Sequence, residues 1–131
     1  MKVLTLRLNA ETGLHYLETC KGNFLVDTGA SSSYIKEELL IDFGDSNQLK
    51  FIQKSKEVIN FFGGGTYQPG EYFLNFWVIN LTGEDVEVTH NFFSIPDDAV
   101  NENFSGVLGI DYLKNCVINF VDSTVTLKLG F

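Results

Sequence analysis

Asp27-Thr28-Gly29 is the segment of this 131-residue chain best suited to chemistry. It follows Phe24-Leu25-Val26, a wholly apolar run that reads as a strand buried on both faces. A carboxylate at the end of such a strand is costly to bury unless it is hydrogen-bonded. Thr28 adds a hydroxyl donor, and Gly29 permits a tight turn with close backbone approach. A single carboxylate cannot both activate a water and donate a proton to a carbonyl, because the first task needs the ionised form and the second the neutral one. Two carboxylates sharing one proton can, since like charges a few ångströms apart do not both ionise readily. The chain contains one Asp-Thr-Gly. Chemistry at Asp27 therefore requires a second acid, and a two-fold axis relating two copies would supply it. The plainer alternative is an ordinary β-turn at a strand end.

Other residues offer less. His15 and His90 stand alone in sequence without metal-ligand spacing, so no metal site is expected. Ser31-Ser32-Ser33 lies outside any G-x-S-x-G pattern and reads as turn chemistry. Gly63-Gly64-Gly65 lacks the Gly-Lys-Ser/Thr ending of a phosphate-binding loop and leads into a strand. No cofactor is expected.

The elements that must position Asp27 are mostly strands. Val3 to Leu8 alternates polar and apolar, Asn9 to Gly13 reads as a turn, and Leu14 to Cys20 resumes as a strand. Tyr34 to Ile41 fits a short helix or turn. Val58 to Phe62 and Tyr72 to Leu81 read as strands, with Gly63 to Gly70 as the tip of a hairpin between them. Val86 to Phe93 alternates again, and Gly106 to Gly109 precedes a helical-looking Ile110 to Asn115. Val117 to Phe120 and Thr124 to Leu129 close the chain around a turn. The expectation is an all-β fold, a closed β-barrel with one or two short helices, in a single domain over residues 1–131.

Composition is consistent with this. Hydrophobic residues make up 44% of the chain, with 12 Phe, which is enough apolar surface for a core. The formal net charge of -8 repels phosphate backbones, so nucleic acid is not expected as a partner. No apolar run approaches the roughly 20 residues of a membrane helix, and no export signal follows Lys2. The expected location is cytoplasmic, away from membranes, with Cys20 and Cys116 reduced.

In order along the chain, four segments resemble the retropepsins, the single-domain aspartic proteases of retroviruses, retrotransposons and some cellular proteins. Phe24 to Ser31 resembles the hydrophobic-hydrophobic-Asp-Thr-Gly-Ala signature, and Val58 to Thr66 the glycine-rich flap hairpin. Gly106 to Leu113 resembles the hydrophobic-hydrophobic-Gly segment with its short helix. Cys116 to Phe120 with Thr124 to Leu129 resembles the dimer-forming C-terminal part, and this extra closing hairpin is more similar to the cellular ubiquitin-receptor members. The resemblance implies the acid-protease fold with one half-site per chain and a homodimer acting on peptide or protein substrates. It implies Asp27 as the catalytic carboxylate, Thr28 as a hydrogen-bonding lock between the two loops, and Gly29 as the point of close substrate approach. It places Ala30, Phe62, Gly63, Gly64 and Gly65 against substrate, and it needs no metal. The terminal strands would form a sheet shared between protomers.

Some features depart from that pattern. Phe62 stands where pepsin-like enzymes carry a flap tyrosine, and the segment from Glu37 to Lys56 is longer and more charged than in viral members. Ala30 replaces the Ser typical of pepsins, removing a hydroxyl donor to the carboxylates, so activity is expected nearer neutral than strongly acidic pH. Asp111 lacks a following Thr-Gly and reads as a helix cap or structural hydrogen-bonding group, not a second acid. The competing readings are a catalytically weak or inactive peptide-binding or assembly module on the same fold, and a monomeric β protein whose Asp27 loop is merely structural.

Overall fold

Among the described residues, alternating side chains and glycine-marked turns produce thirteen short strands and two short helices in a computed structural model. It describes residues 2–11, 13–43, 48–56, 58–60, 66–79, 86–96 and 104–129. Strand β1 (Lys2–Arg7) leads into β2 (Asn9–Glu11), β3 (Leu14–Thr19) and β4 (Gly22–Val26). Next come β5 (Tyr34–Lys36), α1 (Glu37–Phe43), β6 (Leu49–Lys54), β7 (Ile59–Asn60) and β8 (Thr66–Tyr67). The chain continues through β9 (Gly70–Val78), β10 (Val86–Ile95), β11 (Gly106–Leu108), α2 (Ile110–Leu113), β12 (Cys116–Asn119) and β13 (Thr124–Leu129).

The main sheet runs β2-β3-β4-β11-β5-β10-β9-β6, and one further pairing, Thr19 with Val78, joins β3 back to β9. Six strands thus close into a ring, with β2 and β6 as flaps outside it. The expected all-β class with short helices is observed, and closure takes this form of a ring of strands. Its interior is aromatic: Phe24 stacks on Phe76 at 4.9 Å between ring centroids, and Phe92 meets Phe24 edge-on at 5.7 Å. All three rings are fully buried. Such side chains each contribute on the order of 2–3 kcal/mol of burial.

Several segments differ from expectation for physical reasons. Asn9–Glu11 is not only a turn: it pairs antiparallel with Leu14–Tyr16, making a hairpin around Gly13, whose φ of 82° suits glycine. Tyr34–Lys36 is a strand, parallel to Phe93–Ile95, before α1 begins at Glu37. Glu37 and Glu38 lie in the first turn of α1, where acidic groups oppose the helix dipole, while Leu39 and Phe43, four apart, are buried together. Strand β6 is nearly all exposed, and its alternation Leu49-Lys50-Phe51 breaks at Ile52, so no single apolar face announces it. The hairpin expected to join Val58–Phe62 to Tyr72–Leu81 across a Gly63–Gly70 tip is built differently: β7 pairs with β8, Ile59 opposite Tyr67, whereas β9 pairs with β10 and β6. Phe62, Gly63, Gly64 and Gly65 lie outside the described residues.

The chain ends build a second sheet. Strand β1 pairs along its full length with β13 of the same chain, Lys2 opposite Leu129 and Arg7 opposite Thr124. Strand β12 pairs with the other side of β13, giving the order β1-β13-β12.

Candidate functional site

Asp27 sits where two parallel strands run out together. Strand β4 pairs with β11, Val26 opposite Leu108, and the Asp27 N–H donates to Leu108 O at 3.1 Å. The ladder stops there, and the chain turns. The Ala30 N–H donates back to Asp27 O at 3.2 Å, and the Gly29 N–H donates to Asp27 Oδ1 at 2.9 Å. The carboxylate is thus oriented by its own loop, in the manner of an Asx turn. A Cβ on Gly29 would stand only 3.2 Å from Asp27 Oδ1, so the missing side chain leaves the carboxylate room. Asp27 is half-buried, whereas Thr28 and Gly29 are exposed on the surface of the loop.

Ala30 is half-buried and faces inward, packed against the small cluster of Tyr16, Phe104 and Val107. Its carbonyl accepts the Ile110 N–H at 2.8 Å, which ties the loop to the start of α2. Asp27, Thr28, Gly29 and Ala30 are therefore contiguous in one well-braced loop.

A second set of contacts fixes the far end of the loop. Ser33 is fully buried, and its N–H and hydroxyl both donate to Asp111, at 3.1 Å to Oδ2 and 2.7 Å to Oδ1. Ser33 Oγ also accepts the Gly109 N–H at 3.0 Å, and Ser33 O accepts the Phe93 N–H at 3.0 Å. Asp111 Oδ1 accepts its neighbour's Tyr112 N–H at 2.9 Å, and Oδ2 lies 3.0 Å from His90 Nε2. The His90 ring stands edge-on to Tyr112, with centroids 5.2 Å apart. Partial burial pushes the Asp111 carboxyl up, but hydrogen bonds from Ser33 and His90 and the His90 charge outweigh it and hold the group below its ordinary value.

Asp111 is thus a structural hydrogen-bonding group, and it does not cap α2, whose N-cap is Gly109. Its carboxylate oxygens are taken up by Ser33, His90 and its own helix. His90, isolated in sequence, meets Asp111 only because β10 and α2 fold together; no spacing rule would find the pair. Gly109 completes the brace: a Cβ there would lie 2.8 Å from Ala30 O and closer still to Ser32 O. Among the described residues no cluster of His, Cys, Asp and Glu could hold a metal ion. Cys20 and Cys116 are both free thiols. No described helix is long and apolar enough to cross a membrane.

The Asp27 loop thus lies at the end of paired parallel strands and is braced by Gly109, which belongs to a segment from late in the chain. Among solved structures, the crystal structure of a retropepsin-like aspartic protease from Rickettsia conorii matches with a TM-score of 0.55 at 20% sequence identity. The match covers 97% of this chain and 99% of that one. The fold is therefore that of the retropepsin-like proteases. No protein-family model matches the sequence. No curated protein matches it either.

Proposed function

We propose that this chain is one half of an aspartic endopeptidase that acts as a homodimer. The observation that carries the reading is the Asp27 carboxylate, held by the Gly29 N–H at the end of β4 within a retropepsin-like fold. Each chain supplies one such loop, and proton sharing needs two. In the pair, the ionised Asp27 takes a proton from a bound water as its oxygen attacks the scissile carbonyl carbon. The protonated Asp27 of the second copy gives its proton to the carbonyl oxygen. The tetrahedral species then collapses, the C–N bond breaks and the leaving nitrogen takes a proton back. Thr28, exposed beside Asp27, is available to bond across the axis, and an extended peptide would be held by backbone hydrogen bonds.

Pairing has a physical basis in the terminal sheet. Strand β12 is one of its two outer strands, and Val117 on it and Phe120 and Val121 in the turn that follows are exposed, Val121 by 93%. An apolar open strand edge is a ready template for a second chain. The test is cleavage of a diverse peptide library by the purified chain and by Asp27→Asn, with sedimentation of both. Cleavage lost in the variant while the dimer persists is the expected outcome. Equal cleavage by Asp27→Asn, or full activity at dilutions where the chain is monomeric, would overturn the proposal.

A further inference from the structure

A cavity of about 350 Å³ opens between the stretch that follows Asp27 and the root of the β7–β8 hairpin. Ser32 and Tyr34 line one side, and Ser55, Lys56 and Glu71 the other, with Phe93 between. The root is closed by the Ser55 N–H, which donates to Pro69 O at 2.7 Å. Ser32, in its lining, lies five residues after Asp27 in sequence.

The polar groups of the cavity are not evenly matched. Glu71 is already engaged: Gln53 Nε2 donates to its Oε1 at 3.1 Å and Asn91 Nδ2 to its Oε2 at 3.4 Å. Lys56 has no carboxylate partner among the described residues, whereas His90 is paired with Asp111. It stands at the end of Leu49 to Lys56, which holds three lysines and no acidic residue in a chain of net charge -8. The two charges of the lining balance, but Glu71 already accepts two amide donors, which leaves the Lys56 ammonium as the charged group open to a ligand. Tyr34 and Phe93, with ring centroids 6.3 Å apart, add an apolar wall for methylene groups. A basic ligand would meet the Lys56 ammonium and a carboxylate already holding two amide donors. An apolar one would strip water from Lys56 without replacing its hydrogen bonds.

We propose that this cavity is a specificity subsite that takes an acidic side chain of an extended peptide, with Lys56 as its ionic partner. The inference rests on the peptide-cleaving reading and deepens it by naming a substrate class. Long-range repulsion from the acidic remainder of the chain is damped over a Debye length of about 8–10 Å at physiological salt, so the local ammonium decides the preference.

The experiment uses binding, so that the subsite and the chemistry can fail separately. A peptide library randomised at every position is selected on immobilised Asp27→Asn protein, with and without Lys56→Glu. Asp or Glu should be enriched at one peptide position on the first protein, and Lys or Arg at that same position on the second, each by about tenfold. Lys56 is exposed, so the charge reversal should leave the melting temperature unchanged, which a thermal scan checks. The intermediate Lys56→Gln should lose the acidic preference without gaining a basic one. Selection unaffected by either substitution, a basic preference on both proteins, or no retained peptide would overturn the subsite. Peptides that show the charge switch but are never cut by the unmodified chain would leave the subsite standing and sink the protease reading.

Discussion

Asp111→Ala tests whether the brace behind the Asp27 loop matters as the geometry implies. The substitution removes the acceptor for the Ser33 N–H, the Ser33 hydroxyl, the Tyr112 N–H and His90 Nε2. These do not count equally. Asp111 and His90 are partly exposed, so the ion pair is screened and His90 can rebond to water. Ser33 is fully buried, and its N–H would be orphaned at a cost of about 1–3 kcal/mol. With about 1 kcal/mol for the remaining bonds together, the loss is about 3 kcal/mol. At an unfolding entropy of about 2.1 cal/mol/K per residue, this chain length converts it to a melting temperature lower by about 10 °C. Thermal melting by circular dichroism reads this directly. Asp111→Asn retains one acceptor oxygen and should fall between the two. The same variants assayed for peptide cleavage should lose activity at temperatures where they remain folded, because Ser33 and the Asp27 loop are one hydrogen-bonded unit. An Asp111→Ala protein melting within about 2 °C of the unmodified chain would refute the reasoning, since an unpaired buried N–H cannot be that cheap.

Three further outcomes follow from the same structure. Because Asp111 is held below its ordinary value in the folded chain, its stabilising contribution is complete above the unfolded value and fades as pH falls through the folded one, below about pH 4; urea unfolding between pH 6 and pH 3 should show a shallower acid decline in Asp111→Asn, and an identical decline would remove the carboxylate from the balance. Gly109→Ala drives a Cβ into the backbone of residues 30 and 32, so it should cost about 1–3 kcal/mol in chemical denaturation and impair cleavage disproportionately, whereas a neutral result would mean the loop can shift freely. Burial pushes the Cys116 thiol up to about 11, while Cys20 is exposed, so a thiol reagent at pH 8 should modify Cys20 rapidly and Cys116 slowly, with equal rates counting against the packing around Cys116.

Local pattern alone determined a good deal of this protein. The apolar Phe24-Leu25-Val26 run ending in Asp27-Thr28-Gly29 is legible because a doubly buried strand must be apolar on both faces, and because glycine marks a sharp exit. The closing strand Thr124–Leu129 reads correctly from its alternation, and the all-β class follows from many such short runs. Strand β6 was illegible for the opposite reason. Its apolar residues Leu49, Phe51 and Ile52 do not fall on one face and are mostly exposed, and its place is set by the backbone ladder to β9. Pairing was equally hidden: the parallel contacts β4–β11 and β5–β10 join segments far apart in sequence, and only chain closure into a ring chooses them. The Ser33–Asp111–His90 network is the clearest case, since Ser33 and Asp111 are separated by 78 positions and neither is unusual where it stands. Sequence fixes which side chains exist and which faces they prefer. Tertiary structure decides which of them meet, because hydrogen bonding between side chains acts over about 3 Å in space whatever their distance along the chain.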